Sequence, residues 1–600
     1  MPMCRWIFVF FLSVIFCGLP LHAARPSDQA HPRLLFPAVA EADVRNKIAS
    51  DPLAAALQKN ILKRADEVIQ SRTCRFEKKD GRRLLAESRL ALHHILHCAW
   101  AWRTTADKKY FNRVIAEMDA ACAMPHWNPD HFLDTAEMSA AMAIGFDWLY
   151  HDLSPEQRAK YADEIDRKGL QALIQHPHPW WNNATNNWAQ VCGTGMEFAA
   201  IAIDEVQPQR CEQVMEQSKK LLEKCIHFYL PDGAYPEGPG YWHYGTNYQV
   251  LHMAAQASLF GKTPIADIWR RSAEFMVHME GPTGLSFNFA DGGTGKSVPT
   301  AAQTWIASQF PQSALPARNR DALKEYLATS SSESIKGGDR LQPLHLLWLP
   351  KSVSEKVSPP ALTARFGGEQ EIALARTSWD RDAAWLGIKG GTGAASHGHL
   401  DAGSFVYDAA GVRWFIDLGK ENYNLPGYFG NRRWEYFRLK NHSHNTLVIG
   451  DALQEAPMPG CAITPWSESG SRSTCQIDLS TAYAKQCVSA MRSVSFDRGS
   501  GRVEMSDSLR KPIGSVRWAV VTDATVEIKD RQVLLRKNGK TLVLKRDDET
   551  GGAWQEFSLK PPTEQEDDNE GYRMIGFIAP EQEQLDLRVS WQINSDKKSP

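Results

Sequence analysis

Ser396-His397-Gly398-His399-Leu400-Asp401-Ala402-Gly403-Ser404 runs directly into Phe405-Val406-Tyr407-Asp408-Ala409-Ala410-Gly411-Val412-Arg413-Trp414-Phe415-Ile416. Phe405 and Tyr407 alternate into Ala410-Gly411, and Trp414 and Ile416 alternate out again, which predicts two antiparallel strands joined by a tight turn. The nonapeptide before them packs two imidazoles, a carboxylate and two glycines into one short stretch. On a regular strand His397 and His399 would share a face, but Gly398 permits a bend that aims them apart. One can then ligate a metal while the other handles a proton.

Folding back at Ala410-Gly411 places Asp417 roughly opposite Ser404, within reach of His399. A third ligand is available in Asn441-His442-Ser443-His444-Asn445-Thr446, just before an apolar strand that begins at Leu447. Two imidazoles and a carboxylate suit zinc. The competing reading is that these histidines only hydrogen-bond within loops, and spacing does not choose between the two.

Outward from this core, the period of two continues through Val516, Trp518 and Val520, then Val533 and Leu535, then Leu542 and Leu544, with Asn538-Gly539 as a second hairpin turn. Upstream the period is helical. Leu85, Leu92, Ile95, Leu96, Ala99 and Trp102, then Leu133, Ala136, Ala140, Ala143 and Ile144, recur at helix spacing. Helix pairs from about 38 to 345 predict a toroid or solenoid. Residues 329–361, rich in Ser, Gly, Lys and Pro, read as a linker, and acidic 547–570 as a solvated loop region. The expected organisation is a signal peptide over 1–24, a helical domain over 25–345, a central β-sandwich with the metal site over 346–510, and an antiparallel sheet domain over 511–600. The fold class is multidomain α+β.

Six hundred residues with 43% apolar content bury more than one core. Sixty-eight basic residues against 70 acidic, a net charge of −2, argue against a general nucleic-acid binder. Arg5, the apolar run from Trp6 to Cys17, and Ala23-Ala24 predict a cleaved secretory signal, hence a periplasmic or secreted protein with no membrane span. The nine cysteines beyond it lack metal-ribbon spacing and are odd in number. A single bridge among Cys461, Cys475 and Cys487 stays open.

Two clusters in the helical half have the chemistry of a sugar site. Trp180-Trp181-Asn182-Asn183-Ala184-Thr185-Asn186-Asn187-Trp188 sets amides among indoles, although Asn186 or Asn187 could equally cap the following helix. Tyr235-Pro236-Glu237-Gly238-Pro239-Gly240-Tyr241-Trp242-His243-Tyr244 offers phenols and a histidine for proton transfer, or simply packed loop aromatics. Arg432, Arg433, Arg438 and Lys440 form either a solvated face or a holder for carboxylate or sulfate.

Together these segments resemble the heparinase II/III-like family of polysaccharide lyases, which includes several alginate lyases. The resemblance is carried by His31-Pro32-Arg33-Leu34-Leu35, Phe146-Asp147-Trp148-Leu149, Asn186-Asn187-Trp188 with Gln190, Glu237-Gly238-Pro239 leading to Tyr244, the 397–405 segment and His444-Asn445-Thr446. It implies an N-terminal (α/α) toroid followed by antiparallel β-sandwich and β-sheet domains, with the active site between them. It implies that Asn187 neutralises a uronate carboxylate, Tyr244 donates a proton to the leaving oxygen and His397 assists as base or carboxylate partner. Asn186, Trp188, Gln190, Glu237, Tyr241, His243 and Arg438 would bind substrate, and His399, Asp417 and His444 would hold a structural zinc ion. The expected reaction is β-elimination at the 4-O-glycosidic bond of a uronic-acid polysaccharide, a glycosaminoglycan such as heparan sulfate or chondroitin, or alginate. The expected partner is that acidic polysaccharide, and a homodimer is allowed. The sequence departs from the family at Trp188, where known members carry a histidine. Either Tyr244 is both base and acid, or His397 or His243 supplies the base. The alternatives are a glycoside hydrolase, for which Asp232, Glu237 and Asp291 are the candidate acids, and a non-catalytic glycan-binding protein.

Overall fold

The structure, a computed structural model, describes residues 24–175, 179–261, 264–329, 340–351, 358–548, 550 and 552–594. Apart from Ala24, the expected signal peptide lies outside the described residues. The helical half comprises α1 (Glu41–Ser50), α2 (Pro52–Ile69), α3 (Leu85–Thr105), α4 (Lys108–Ala123), α5 (Phe132–Trp148), α6 (Pro155–Ile165), α7 (Gln171–Gln175), α8 (Pro179–Asn182), α9 (Asn187–Ala202), α10 (Pro208–Lys224), α11 (Gly238–Phe260), α12 (Asp267–Met279), α13 (Ala301–Gln309), α14 (Leu315–Thr329) and α15 (Gln342–Trp348). Local sequence sets several starts. Ser154 and Gln157 form a capping box around Pro155, Thr300 and Gln303 another, and Asp51 and Asp107 accept from the first turns of α2 and α4.

Composition sorts these helices into two layers. Every residue of α5 is buried, as is all of α9 except Trp188, whereas α10 and α12 bury one stripe each. Helices α3, α5, α9, α11, α13 and α15 pack in succession, and α15 returns to α2 and α3, closing a ring. Helices α4, α6, α10 and α12 lie outside it against α3, α5, α9 and α13. This is the expected toroid. Its closure corrects the linker reading, because α15 falls inside 329–361 and is tied to α2 through Gln342, which donates to Asn60 at 2.8 Å.

The β half has seventeen strands among the described residues: β1 (Thr363–Phe366), β2 (Ile372–Arg376), β3 (Trp385–Lys389), β4 (Phe405–Ala409), β5 (Val412–Phe415), β6 (Leu447–Ile449), β7 (Ser467–Ser469), β8 (Arg472–Asp478), β9 (Ser489–Asp497), β10 (Val503–Arg510), β11 (Val516–Thr522), β12 (Thr525–Lys529), β13 (Gln532–Lys537), β14 (Lys540–Arg546), β15 (Gln555–Phe557), β16 (Arg573–Ala579) and β17 (Gln584–Ile593). They form three antiparallel sheets, in the orders β1-β2-β3-β4-β5, β12-β13-β14-β17-β10-β9-β8-β7 and β15-β16-β11-β6. Both predicted hairpins form, with Ala410, Gly411, Asn538 and Gly539 all at positive φ.

The sheet β1 to β5 is the wall between the two halves. Strands β2 to β5 are buried on both faces, and successive residues serve opposite sides. Ile372, Leu374, Trp385 and Val406 belong to the toroid core, while Ala373, Ala375, Leu386, Phe405 and Tyr407 belong to the sandwich core. By contrast β9 and β10 bury alternate residues only, as strands with one wet face do.

The boundary expected at 510/511 is not a domain boundary. Strand β10 pairs along its length with β17, and β6 pairs with β11, so residues on both sides of 510 share two sheets and one core. Within 547–570, read as a solvated loop, β15 joins a sheet and Glu566 accepts from the Phe437 amide at 2.6 Å. All nine described cysteines are free and buried, so the bridge left open among Cys461, Cys475 and Cys487 is not formed. Among the described residues no helix is long and apolar enough to cross a membrane.

Arg492 on β9 is fully buried. It forks onto Asp507 at 2.7 and 2.9 Å and donates to the carbonyls of Gly403 at 2.6 Å and Asn445 at 3.3 Å. It therefore pins from below the two loops that carry His399 and His444. Arg492→Ala leaves Asp507 as an uncompensated buried charge and should cost about 3–5 kcal/mol, read as a fall in the denaturant midpoint. An unchanged midpoint would show that the pair does not hold these loops.

Candidate active site

The N-terminus of α9 is set by Asn186, whose side chain accepts from the Trp188 amide at 3.2 Å. Asn187, the first residue of the helix, then points its amide at Glu237 and donates to Oε2 at 2.8 Å. Glu237 is buried just before α11, and its other oxygen accepts from Ser396 Oγ at 2.7 Å. One carboxylate thus ties the toroid to the loop of the β half that carries His397.

That loop is tightly wound. A Cβ on Gly398 would lie 2.5 Å from the Gly393 carbonyl and 2.8 Å from that of Ala395, and His397 itself sits at φ 61°. Its ring stacks on Tyr241 at 4.0 Å, and Tyr241 shares a 2.9 Å hydrogen bond with Tyr423. Nδ1 lies 2.6 Å from Asp291 Oδ2, and Nε2 stands 3.8 Å from Glu237 Oε1. A carboxylate on Nδ1 fixes the proton there and leaves Nε2 with the lone pair, the tautomer a base requires.

Asp291 does more than orient one histidine. Its Oδ1 also takes His399 Nε2 at 3.0 Å, the Tyr428 hydroxyl at 2.7 Å and Arg433 at 3.0 Å. Burial alone would raise this carboxyl, but His397, His399 and Arg433 outweigh it and hold the group well below the usual range.

Tyr244 lies one turn beyond Tyr241 on α11. Its hydroxyl donates to Glu137 Oε1 at 2.9 Å, and the same oxygen takes Arg89 at 2.9 Å and Arg340 at 3.2 Å. The Arg89 guanidinium stands 4.6 Å over the phenol ring. Burial, and then the Glu137 carboxylate, hold the phenol well above its ordinary value against the opposing pull of Arg89. Tyr244 is therefore a neutral proton donor at rest. It neighbours Asn187 because α9 and α11 meet at Gly245, where a Cβ would lie 2.1 Å from Gln190 Oε1 and 3.2 Å from Asn187 Cα.

A second buried cluster lies behind His397. Asp401, Asp417 and His444 offer ligand atoms within 4.8 Å of one another, and the His399 ring stands 5.3 Å from that of His444. Asp417 Oδ2 holds His444 Nδ1 at 3.0 Å, and Lys389 donates to Asp401 Oδ1. His399 Nδ1, His444 Nε2 and Asp401 Oδ2 are buried without a hydrogen-bond partner. Burial pushes His399 down, while at His444 the opposing effect of Asp417 outweighs burial and raises it. Orphaned imidazole nitrogens and carboxylate oxygens are a donor set that fits zinc. Asp401 is the member that sequence reasoning missed.

Direct contacts join Asn187, Glu237, His397 and Tyr241, and Tyr244 follows one turn beyond Tyr241 on α11, next to the Gly245 that packs on Asn187. Gln190 is a buried strut, donating to Tyr229 at 2.7 Å and accepting from Tyr235 at 3.0 Å. Trp188 is half-buried against Trp180 at 4.5 Å and His131 at 5.0 Å. Two residues expected to bind substrate lie apart from this cluster. His243 lines a separate cavity on the flank of α11. Arg438 is committed to the 567–569 loop, donating to Asn569 at 2.9 Å and the Asp568 carbonyl at 2.7 Å, so Arg433 is the arginine that reaches the site. Glu137, Arg89, Arg340 and Tyr423 were not singled out for roles here, and Arg433 was named only within the basic run that could hold carboxylate or sulfate. Glu137 carried a signal, as one of only three acids in a wholly buried helix.

Residues 378–593 match the family model described as heparinase II/III-like, C-terminal. No curated protein sequence matches the chain. Among solved structures, a mutant of heparan sulfate lyase HepC from Pedobacter heparinus is similar at TM-score 0.61 and 14% identity, covering 96% of this chain and 94% of that one. The heparinase III BT4657 gene product is similar at TM-score 0.59 and 15% identity, covering 89% and 84%. A further heparinase III structure gives 0.58 and 14%, covering 90% and 84%. The toroid and antiparallel sheets read from the sequence are the shared fold.

Because the folded-state pKa of Asp291 lies below its unfolded value, the stability it contributes is fully present above about pH 4 and is lost as pH falls below that. Asp291→Asn should be less stable than the parent at pH 7 and lose less on acidification to pH 2.5, measured as denaturant midpoints across that range. Parallel pH profiles for the two proteins would contradict the assigned charge network.

Proposed function

We propose that the chain is a polysaccharide lyase acting on a uronic-acid polysaccharide. The observation that carries this is an amide, an imidazole with its lone pair on Nε2 and a neutral phenol in one neighbourhood, with the adjacent carboxylates already engaged. Glu237 uses both oxygens on Asn187 and Ser396, and Asp291 uses both on His397, His399, Tyr428 and Arg433. Asp232, the third acid considered, accepts from the Gly367 amide at 2.8 Å. A glycosidase needs one carboxylic acid and one free carboxylate across a bond, and this arrangement offers neither.

The chemistry follows from these positions. The proton on C5 of a uronate is weakly acidic, and its removal builds charge on the neighbouring carboxylate. The Asn187 amide, preorganised by Glu237, meets that charge. His397 Nε2 takes the C5 proton, the electrons form the C4–C5 double bond, and the C4–O4 bond breaks. The departing O4 takes the phenolic proton of Tyr244. Arg89 and Arg340 stabilise the resulting phenolate until solvent returns a proton to it and His397 releases its own. This assigns the base to His397, answering the absence of a histidine at position 188.

A structural zinc ion bound by His399, Asp417 and His444, with Asp401 beside them, would brace the loop from behind, since Asp291 joins His399 to His397. A glycosaminoglycan is favoured over alginate because the similar solved structures are a heparan sulfate lyase and heparinase III proteins. The expected signal peptide supports a periplasmic or secreted location.

Incubation with a panel of polyuronates should produce ultraviolet absorbance from the unsaturated uronate end. New reducing ends without that absorbance would sink the lyase reading. Tyr244→Phe should lower kcat by about 10²–10⁴-fold while KM changes little; a fully active variant excludes Tyr244 as the acid. Elemental analysis should find zinc near one per chain, reduced in His444→Ala.

A further inference from the structure

A cavity of about 630 Å³ lies between α12, α14, the 280–298 segment and the turn from β2 to β3, and neither Asn187, Tyr244 nor His397 lines it. Trp379 stands at that turn, its indole N–H donating to the Pro360 carbonyl at 2.9 Å. Two guanidiniums lie over its ring, that of Arg376 at 3.6 Å and that of Arg318 at 4.2 Å from the centroid. Stacking on an indole fixes each fork in place and offsets part of its desolvation.

What these cations lack is an acid. Among the described residues no carboxylate lies within ion-pair distance of Arg318, Arg376 or the cavity's Lys296. Arg376 is buried and donates only to the carbonyls of His278 at 3.2 Å and Glu280 at 2.9 Å. The acids around the cavity are committed elsewhere. Glu325 pairs with Arg381 at 2.6 Å, Asp321 with Lys324 at 3.0 Å, and Asp380 takes the Ser378 hydroxyl at 2.8 Å. Glu280 lines the cavity as an exposed residue, beyond ion-pair distance of both guanidiniums. Burial, and then repulsion from Arg318, push Arg376 down to about 9. Two paired cations without an anion are costly in such a setting, and a bound anion would relieve the cost.

We propose that this cavity is a second, non-catalytic binding site for an acidic saccharide, whose carboxylate or sulfate is held between Arg318 and Arg376. The volume favours a saccharide over a lone ion, since it lies in the range that encloses small-molecule ligands. This rests on the acidic-polysaccharide reading above and adds a contact outside the reacting residues.

The test uses the full chain carrying Tyr244→Phe, expected to slow cleavage, and titration calorimetry with three probes: a sulfated glucosamine–uronate tetrasaccharide, an unsulfated polyuronate tetrasaccharide and sodium sulfate. At least one tetrasaccharide should show two classes of site. Adding Arg318→Gln should weaken one class tenfold or more, and Lys296→Gln, an exposed change, should weaken the same class severalfold with an unchanged melting temperature. Sodium sulfate should bind that class at least tenfold more weakly than the tetrasaccharide. Titrations unchanged by both substitutions would overturn the proposal, as would sulfate binding as tightly as the saccharide, which would make the cavity a plain anion hole. Arg318-dependent binding in a protein whose wild type yields no unsaturated product from any polymer would uphold this site while removing the catalytic reading.

Discussion

The sheet β1 to β5 is the constraint on which the rest of the molecule depends. Its residues alternate between two cores, so the toroid and the sandwich cannot shift relative to one another without exposing Ile372, Leu374 and Val406 on one side or Phe405 and Tyr407 on the other. Each such side chain contributes about 1.5–3 kcal/mol when fully buried. The wall therefore acts as a rigid datum. The loop between β3 and β4, which carries Ser396, His397 and His399, springs directly from it, and that is why an imidazole from one half can be aimed at groups from the other.

The two halves supply different chemical parts. From the toroid come Asn187 and Tyr244, fixed by the close approach of α9 and α11 at Gly245. From the β half comes His397, held in the left-handed region at φ 61°, a conformation that costs of order 1–3 kcal/mol for a non-glycine residue. Glu237 and Asp291 join them. Both belong to the helical half in sequence, yet both receive hydrogen bonds from the loop of the β half. Placing the carboxylates there lets them orient neighbouring groups while being too fully engaged to act as acids themselves.

Much of this was legible in the sequence because it depends on periodicity and on local turn chemistry. The change of period from 3.6 to 2 and the hairpins at Ala410-Gly411 and Asn538-Gly539 follow from short-range rules; the hairpin was expected to bring Asp417 to His399, but His399 hydrogen-bonds Asp291 and Asp417 holds His444. What was illegible depends on long-range packing. The pairing of β10 with β17 spans some seventy residues, and nothing local in Val503–Arg510 distinguishes a partner before residue 510 from one after it. Arg438 and Arg433 look alike in a basic run, and only the fold shows that the first meets the 567–569 loop and the second meets Asp291. The stretch around α15 read as a linker because Ser and Gly flank a helix of only seven residues, too short to announce itself.

The same asymmetry bears on the role proposed for Tyr244, an acid and not a base. A phenol that must lose its proton first would sit beside cations alone, which favour phenolate. Here Arg89 and Arg340 lie over the Tyr244 ring, but both also pair with Glu137, whose carboxylate accepts the phenolic hydrogen and offsets much of their field. In the proposed elimination, the hydrogen bond to an ionised acceptor keeps the proton on oxygen until the departing O4 arrives. His397 has the complementary arrangement, a carboxylate on Nδ1 that stabilises the imidazolium formed when Nε2 takes a proton. In the proposed reaction acid and base are thus set apart by their carboxylates, one that holds the phenolic proton on the donor and one that orients the imidazole of the acceptor. Elimination from a weakly acidic carbon needs that pairing, because both proton movements must be favourable at the same pH.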